Sequence, residues 1–161
     1  MAIVSDSGPI LSFARAGRLE LLPGLLQKLI IPQAVWDDLV VRGSGKPNAG
    51  VIAEAPWIER YVVRDRNLVH SLPGRLHVGE REAIALARGL GTVLLVDERE
   101  ARKEARRLGV VHFGSLRVLK EAKDRGLLST VRPALDDLVR SGTYIGATLY
   151  HDFLRQVGEE P

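Results

Sequence analysis

Short apolar runs that alternate with helical segments are the feature that most restricts how this chain can fold. Five runs read as buried strands, and helical spacing of apolar side chains fills most of the sequence between them. Continuous apolar strands of this kind are typical of a parallel sheet covered by helices on both faces. We therefore predict a three-layer α/β domain with a helical C-terminal extension. The predicted strands span 2–5, 29–31, 57–63, 92–96 and 110–113, and the predicted helices span 10–16, 19–26, 33–41, 79–90, 98–108, 115–123, 131–140 and 147–157.

The length of the chain fits one domain that needs no disulfide bond or structural metal ion. A chain of 161 residues buries roughly 70% of the surface of its unfolded form, and the sequence has no cysteine. We expect a core segment, 1–125, and a helical extension, 126–161, within a single domain.

The distribution of charge indicates no membrane span. The longest stretch without Asp, Glu, Lys or Arg is the eleven residues 141–151, against roughly 18 apolar residues for a membrane helix. Asp6 follows only a few apolar residues and no basic leader, so we expect no secretory signal and a cytoplasmic protein.

Two acids stand where predicted strands end. Asp6 follows the first strand and Asp97 follows the strand at 92–96. Ligand sites of open parallel sheets form at the carboxyl ends of their strands, so both carboxylates are candidate functional groups. Each alone is also compatible with an ordinary turn or helix start, where Asp is common.

The helix at 79–90 supplies a third acid. At about 100° per residue, Glu80 falls inside the apolar stripe of Ala83, Ile84 and Ala87, whereas Glu82 falls outside it. We therefore expect Glu80 to face the sheet and Glu82 to face water. Acids in a first helical turn are also favoured by the helix dipole, but this effect does not select the inward-facing one.

The helix at 33–41 supplies a fourth acid. Val35 and Leu39 set its buried direction, and Asp38 lies nearer to that direction than Asp37. Trp36 blurs the stripe, and a solvated helix flank is the alternative.

Four converging carboxylates would repel one another and raise their own pKa values unless a cation neutralised them. Oxygen ligands favour Mg²⁺ or Mn²⁺, and the four histidines, at 70, 77, 112 and 151, form no close ligand pair. Such a centre activates water and stabilises the leaving oxygen in phosphodiester hydrolysis.

The segments that carry these acids resemble the successive acidic motifs of PIN domains. They read IVSDSGP at 3–9, IP at 31–32 continuing to DL at 38–39, GEREAIALA at 79–87 and LLVDE at 94–98. The likeness covers nearly the whole chain, including GSL at 114–116, and is close to a prokaryotic PIN-like group similar to toxin ribonucleases of toxin-antitoxin pairs. It implies a Rossmann-like sheet and a metal-dependent ribonuclease site, with RNA as substrate and a cognate antitoxin as partner.

Carried over by motif, the resemblance implies that Asp6, Asp38, Glu80 and Asp97 are the catalytic acids. PIN domains usually have Glu at the second position, whereas this chain has the shorter Asp38. The resemblance therefore implies Asp6, Glu80 and Asp97 as principal metal ligands and Asp38 as a supporting acid.

Three neighbouring residues are candidates for supporting roles. Glu98 is a candidate outer metal ligand, although adjacent side chains at a strand end point to opposite sides. Ser7 and Ser115 are candidates to hydrogen-bond a ligand carboxylate or a phosphate, and helix capping is their alternative role.

Cations near the acids are the candidate phosphate contacts. Arg99 and Arg102 follow Asp97 on a charged helix, but glutamates interleave with the cations there, which also fits intrahelical ion pairs on a solvated face. Arg42 and Lys46, in a loop-like segment at 43–48, are the other candidates. That segment lacks the spacing of a P-loop and follows a helix rather than a strand.

Two further expectations concern association and activity. We expect a homodimer, with Tyr144, Tyr150 and Phe153 of the C-terminal segment as candidate interface residues. A catalytically weak or inactive module that binds nucleic acid or an antitoxin is the alternative to an active ribonuclease, because the second acid is shortened. A phosphotransfer receiver domain is disfavoured, since Gly114 stands where such domains need a lysine.

Overall fold

A five-stranded parallel sheet forms the middle layer of the structure, a computed structural model that describes residues 2–160. Its strands lie in the order β3-β2-β1-β4-β5, so β1 is central and the chain crosses from one half of the sheet to the other between β3 and β4. Val4 of β1 pairs with Ile30 on one side and with Leu94 on the other. The strands are β1 Ala2–Ser5, β2 Lys28–Pro32, β3 Ile58–Tyr61, β4 Leu94–Leu95 and β5 His112–Phe113.

Helices connect the strands and form the C-terminal part of the chain. They are α1 Ser7–Arg15, α2 Leu21–Leu25, α3 Gln33–Trp36, α4 Pro47–Glu54, α5 Arg66–Ser71, α6 Val78–Leu90, α7 Arg99–Arg107, α8 Ser115–Asp124, α9 Arg132–Arg140 and α10 Ala147–Gln156. Helix α3 continues directly into a π-helical turn, Asp37–Val41. Within residues 2–160, no helix combines the length and the hydrophobicity that a membrane span needs.

The helical layers follow from the alternation of side chains along the strands. Ile3 packs into one apolar cluster with α1, α2, α8, α9 and α10, while its neighbour Val4 packs into a second cluster with α5, α6 and α7. Both clusters are buried, so helices cover both faces of the sheet. The predicted three-layer α/β fold is confirmed.

Two segments that lie outside every predicted strand and helix, 43–48 and 67–78, contain helical residues in the structure. The loop-like stretch at 43–48 already begins helix α4 at Pro47, which is a favoured first residue of a helix. The stretch at 67–78 contains most of α5, which begins after Asp65; the Asp65 side chain caps the helix by accepting a hydrogen bond from the backbone N–H of Leu68 at 3.0 Å.

The C-terminal helices share the core of the sheet domain. Leu135 and Leu138 of α9 and Leu154 of α10 are fully buried in the same cluster as Phe13. Glu159 fixes the end of the chain, because its carboxylate accepts hydrogen bonds from the backbone N–H of Val131 at 2.7 Å and from Lys123 Nζ at 3.0 Å.

Of the three expected interface residues in the C-terminal segment, only one is free for an interface. Phe153 is buried in the core, and Tyr150 donates a hydrogen bond to Asp136 at 2.5 Å. Tyr144 is 92% exposed.

Candidate metal centre

The first and fourth acidic motifs meet where two central strands end. Strand β1 pairs with β4, and the backbone N–H of Asp6 donates to the carbonyl of Leu95 at 3.1 Å. Asp6 and Asp97 therefore emerge side by side at the carboxyl edge of the sheet, where the strand order reverses. Clefts of doubly wound folds form at this kind of switch point.

Helix α6 begins directly above this edge and places Glu80 beside it. Glu80 is buried, as the apolar stripe of the helix predicts. The preceding residue is a glycine because the space is already filled: a Cβ on Gly79 would lie 2.9 Å from Asp38 Oδ2 and 3.8 Å from Asp6 Oδ1. The missing side chain thus lets Asp6 and Asp38 approach α6 together.

The π-helical turn sets the position of Asp38. The backbone N–H of Arg42 donates to the carbonyl of Asp37 at 2.8 Å, five residues back, which widens the turn. Gly43 follows, and any Cβ there would lie 2.4 Å from the carbonyl oxygen of Leu39, so only glycine fits without movement. The Asp38 side chain is half-buried: Oδ1 is ion-paired with Arg42, whereas Oδ2 faces Gly79.

The chain after β5 holds Asp97 in place. Ser115 donates to Asp97 twice, from its backbone N–H to Oδ1 at 2.7 Å and from its hydroxyl to Oδ2 at 2.5 Å. Gly114 makes room for this arrangement, because a Cβ there would lie 2.7 Å from Asp97 Oδ1. Ser115 is therefore a residue that orients an acid, one of the two roles that its position suggested.

Glu98 lies closer to the site than its position next to Asp97 suggests. One of its oxygens accepts a hydrogen bond from the backbone N–H of Ala101 at 2.7 Å and so caps α7. Its carboxyl group also lies near Glu80, whose pKa it raises by repulsion and by hydrogen bonding.

Burial and mutual repulsion shift the pKa values of two of the acids. Burial raises the pKa of Asp6 to about 6, the charges of Asp38 and Asp97 add to the rise, and the backbone N–H groups of Ser7 and Gly8 oppose it. Burial also raises the pKa of Glu80 to about 7, with further contributions from Asp6 and Glu98. Burial is the largest cause of both shifts, and repulsion between neighbouring carboxylates adds to it.

The buried acids of the chain fall into two kinds. Glu82 is ion-paired with Arg66 at 2.6 Å, and Glu104 is ion-paired with Arg107 at 2.6 Å. By contrast, Asp6 Oδ1 and Glu80 Oε2 are buried and have no hydrogen-bond partner among the described residues. A buried carboxylate oxygen without a partner is costly, so these two oxygens are candidate ligand atoms for a cation.

The expectation that Glu82 faces water is wrong. Its side chain is buried, and Oε1 accepts a hydrogen bond from the backbone N–H of Ala34 at 3.0 Å while Oε2 binds Arg66. Glu82 thereby satisfies a free N–H in the first turn of α3 and ties the helix that leads to Asp38 to the helix that carries Glu80. Sequence periodicity missed this positioning role because both partners are distant along the chain.

The donor set fits a hard divalent cation, although the acids do not enclose one as they stand. All the candidate ligands are carboxylate oxygens, and two of them lack a partner. Within residues 2–160, no three acidic or histidine side chains are grouped closely enough to hold a metal ion. In this arrangement Arg42 binds one oxygen of Asp38, and Ser115 donates to both oxygens of Asp97.

The predicted phosphate contacts lie on four different segments of the chain. Arg42 is engaged with Asp38, and Lys46 is exposed in the segment before α4. Ser7 is half-buried at the start of α1, next to Asp6. Arg99 and Arg102 lie on α7, and Arg102 Nη1 is 3.1 Å from the point where a Cβ of Gly114 would lie, beside Asp97.

The protein is an open α/β domain with a parallel sheet, and folds of this class bind ligands at the switch point of the sheet, where Asp6 and Asp97 lie here. Comparison with known families narrows this class. The family model described as DUF3368: PIN domain matches residues 2–159. The chain belongs to the PIN domain family, so the resemblance seen in its motifs is confirmed.

A solved structure supports the same fold. The chain is similar to a PilT N-terminus domain protein, SSO1118, from the hyperthermophilic archaeon Sulfolobus solfataricus P2, with 17% sequence identity and a TM-score of 0.51. The match covers 91% of this chain and 98% of that chain. No curated protein matches the sequence.

Proposed function

We propose that the protein is a metal-dependent endoribonuclease that hydrolyses RNA phosphodiester bonds at the acidic edge of its sheet. PIN domains are in general a nuclease fold, and the chain is one of them. The observation that carries the proposal is the pair of buried, unpartnered oxygens on Asp6 and Glu80, in a chain whose other buried acids are matched with arginine.

The four acids have different roles in this proposal. Asp6 and Glu80 are the principal ligands of Mg²⁺ or Mn²⁺, Asp97 is a third ligand with Glu98 beside it, and Asp38 supports them from the π-helical turn. A divalent ion supplies an activated water and stabilises the charge that develops on the leaving oxygen. Ser115 orients Asp97 through two hydrogen bonds.

The direct test is cleavage of an unstructured single-stranded RNA with Mg²⁺ or Mn²⁺. We expect the wild type to cleave, EDTA to abolish cleavage, and Asp6→Asn and Glu80→Gln each to reduce the rate by at least about 100-fold, because each removes charge stabilisation from the transition state. Isothermal titration with Mn²⁺ should show weakened metal binding for both variants.

Glu54→Gln is the matched control, since it makes the same chemical change at an exposed glutamate of α4. It should keep wild-type activity and metal binding. Equal cleavage rates for wild type and Asp6→Asn would refute the mechanism.

A second candidate function is a catalytically weak or inactive module that binds nucleic acid or an antitoxin. The observation in its favour is that Asp38 is ion-paired with Arg42 and that no three acids within residues 2–160 are grouped to hold a metal. RNA binding without any metal binding in the titration would select this function over the first.

Association and biological role extend the proposal. By resemblance to PIN toxins, we propose that the protein acts in the cytoplasm, that a cognate antitoxin restrains it and that it forms a homodimer. Sedimentation of wild type and Tyr144→Ser tests the dimer, because Tyr144 is the expected interface residue that remains exposed. Co-purification with the product of the neighbouring reading frame tests for the antitoxin.

A further inference from the structure

Helix α7 carries four cations on one face. Arg99, Arg102, Lys103 and Arg106 follow the spacing i, i+3, i+4 and i+7, which places their side chains along a single stripe of a helix. Among residues 2–160, none of the four forms an ion pair. We call this set the α7 stripe.

The glutamates of the same segment are engaged elsewhere. Glu98 caps the helix, Glu100 is ion-paired with Arg75 at 3.0 Å, and Glu104 is ion-paired with Arg107. Only the last of these is an ion pair within the helix, so the intrahelical pairing that the sequence allowed is limited, among the described residues, to Glu104 and Arg107. Most of the positive charge of α7 is left without a local counterion.

The α7 stripe begins at the acidic site. Arg102 Nη1 and Asp97 Oδ1 lie 3.1 Å and 2.7 Å from the same point, where a Cβ of Gly114 would lie. The four cations line an open groove of about 560 Å³ together with Asp97 and Glu100. Asp97 joins the groove to the candidate metal centre.

We propose that the α7 stripe binds the phosphate backbone of a single RNA strand and leads it from the acidic site along the helix. This inference rests on the proposed function and adds the path of the substrate. Residues 99 to 106 span about 10 Å of helix axis, a length that matches roughly three successive phosphates of a stacked strand. One row of cations presents one line of contacts, which suits one strand.

The composition of the groove specifies how the strand is recognised. Its lining residues are all charged, so the contacts are made to phosphates and carry no base sequence. Binding along the α7 stripe is therefore tolerant of sequence and sensitive to salt. Arg42 is engaged with Asp38 and is a weaker candidate for this role.

The test measures binding separately from cleavage. A fluorescein-labelled single-stranded RNA of mixed sequence is titrated at several salt concentrations. EDTA is present throughout, so that metal-dependent cleavage cannot interfere with the measurement of binding. Arg106→Gln removes one exposed cation from the last turn of α7, a helix of nine residues. Arg15→Gln is the matched control, because Arg15 is an exposed arginine in the last turn of α1, also of nine residues, in the opposite helical layer.

We expect Arg106→Gln and Lys103→Gln to weaken RNA binding about five-fold each. The slope of log affinity against log salt should become shallower by about 0.7 for each lost phosphate contact. Arg106→Lys should restore most of the affinity and the slope, and Arg15→Gln should match the wild type.

Equal effects of Arg106→Gln and Arg15→Gln would overturn the α7 path while leaving the proposed nuclease activity intact. Conversely, the wild type could bind RNA and the Arg106→Gln and Lys103→Gln variants could bind it more weakly while the wild type cleaves no RNA. That result would contradict the nuclease activity and support the α7 path. Absence of any RNA binding would overturn both.

Discussion

Replacing Glu80 with glutamine is expected to stabilise the metal-free protein at neutral and alkaline pH, although it removes a proposed metal ligand. Glu80 is buried and one of its oxygens has no partner. Burial, Asp6 and Glu98 together raise its pKa to about 7. Ionised Glu80 is therefore a cost to the folded state that glutamine does not incur.

The size of the effect follows from the pKa of Glu80. A rise from 4.5 to about 7 corresponds to about 3 kcal/mol in the free energy of unfolding at 1.36 kcal/mol per pH unit. Between these pH values the folded state binds more protons than the unfolded state, so wild-type stability falls as pH rises through this range. The advantage of Glu80→Gln should grow from near zero at about pH 4.5 to about 3 kcal/mol above pH 7.

Urea unfolding in EDTA at a series of pH values measures this difference, with Glu54→Gln as the control that should show none. Addition of Mg²⁺ should stabilise the wild type and reduce the difference, because a ligand that binds the folded state stabilises it. A Glu80→Gln protein that is less stable than wild type in EDTA at about pH 8, or a difference that does not change with pH, would show that ionised Glu80 does not destabilise the folded state.

Three further substitutions test the construction of the site. Gly79→Ala should lower RNA cleavage by about 10-fold or more, because its Cβ would lie 2.9 Å from Asp38 Oδ2 and displace that acid. Gly89→Ala is the control, because Gly89 lies on the same helix with open space around it. This variant should keep full activity and raise the free energy of unfolding by about 0.5–1 kcal/mol. Ser115→Ala should weaken Mn²⁺ affinity by about 10-fold in calorimetry, since the hydroxyl orients Asp97, a proposed ligand, and Ser115→Thr should retain most of it. Glu82→Gln should destabilise the protein by about 1–3 kcal/mol in urea unfolding, opposite in sign to Glu80→Gln, because Glu82 has charged and backbone partners.

The fold was predictable because its strands and most of its helices are specified locally. The runs at 2–5 and 29–31 are apolar on both faces, as strands buried between two helical layers must be, and they match β1 and β2 closely. The π-helical turn at Asp37–Val41 could not be read in this way. Its five-residue hydrogen bond changes the angular spacing of side chains, so a stripe drawn at about 100° per residue does not describe this segment.

The site was predictable where a residue's position along its own element decides its direction. Asp6 and Asp97 follow from strand ends, and Glu80 from the helical stripe. Glu82 could not be placed, because its burial depends on Arg66 and on the N–H of Ala34, which the fold alone brings to it. Helical periodicity predicts that an acid outside the apolar stripe is solvated. It contains no information about a partner on another element that compensates the charge.

The contrast between paired and unpaired buried acids bears on why the site is built into this part of the fold. Each unpartnered carboxylate lowers stability, so it persists only where the surrounding structure fixes its position. Asp6 is anchored by the central strand β1, and Glu80 by the first turn of α6, the helix that packs on that strand. Neither acid can relax toward water without disrupting the core that holds it. Asp6 and Glu80 are thus held within the core, whereas Asp38 and Asp97 lie at the rim of the site: Asp38 is half-buried and ion-paired with an exposed arginine, and Asp97 is exposed. Binding of a divalent ion should consequently stiffen the rim more than the core, and hydrogen exchange with and without Mn²⁺ should show added protection at 37–43 and 97–102 rather than in β1.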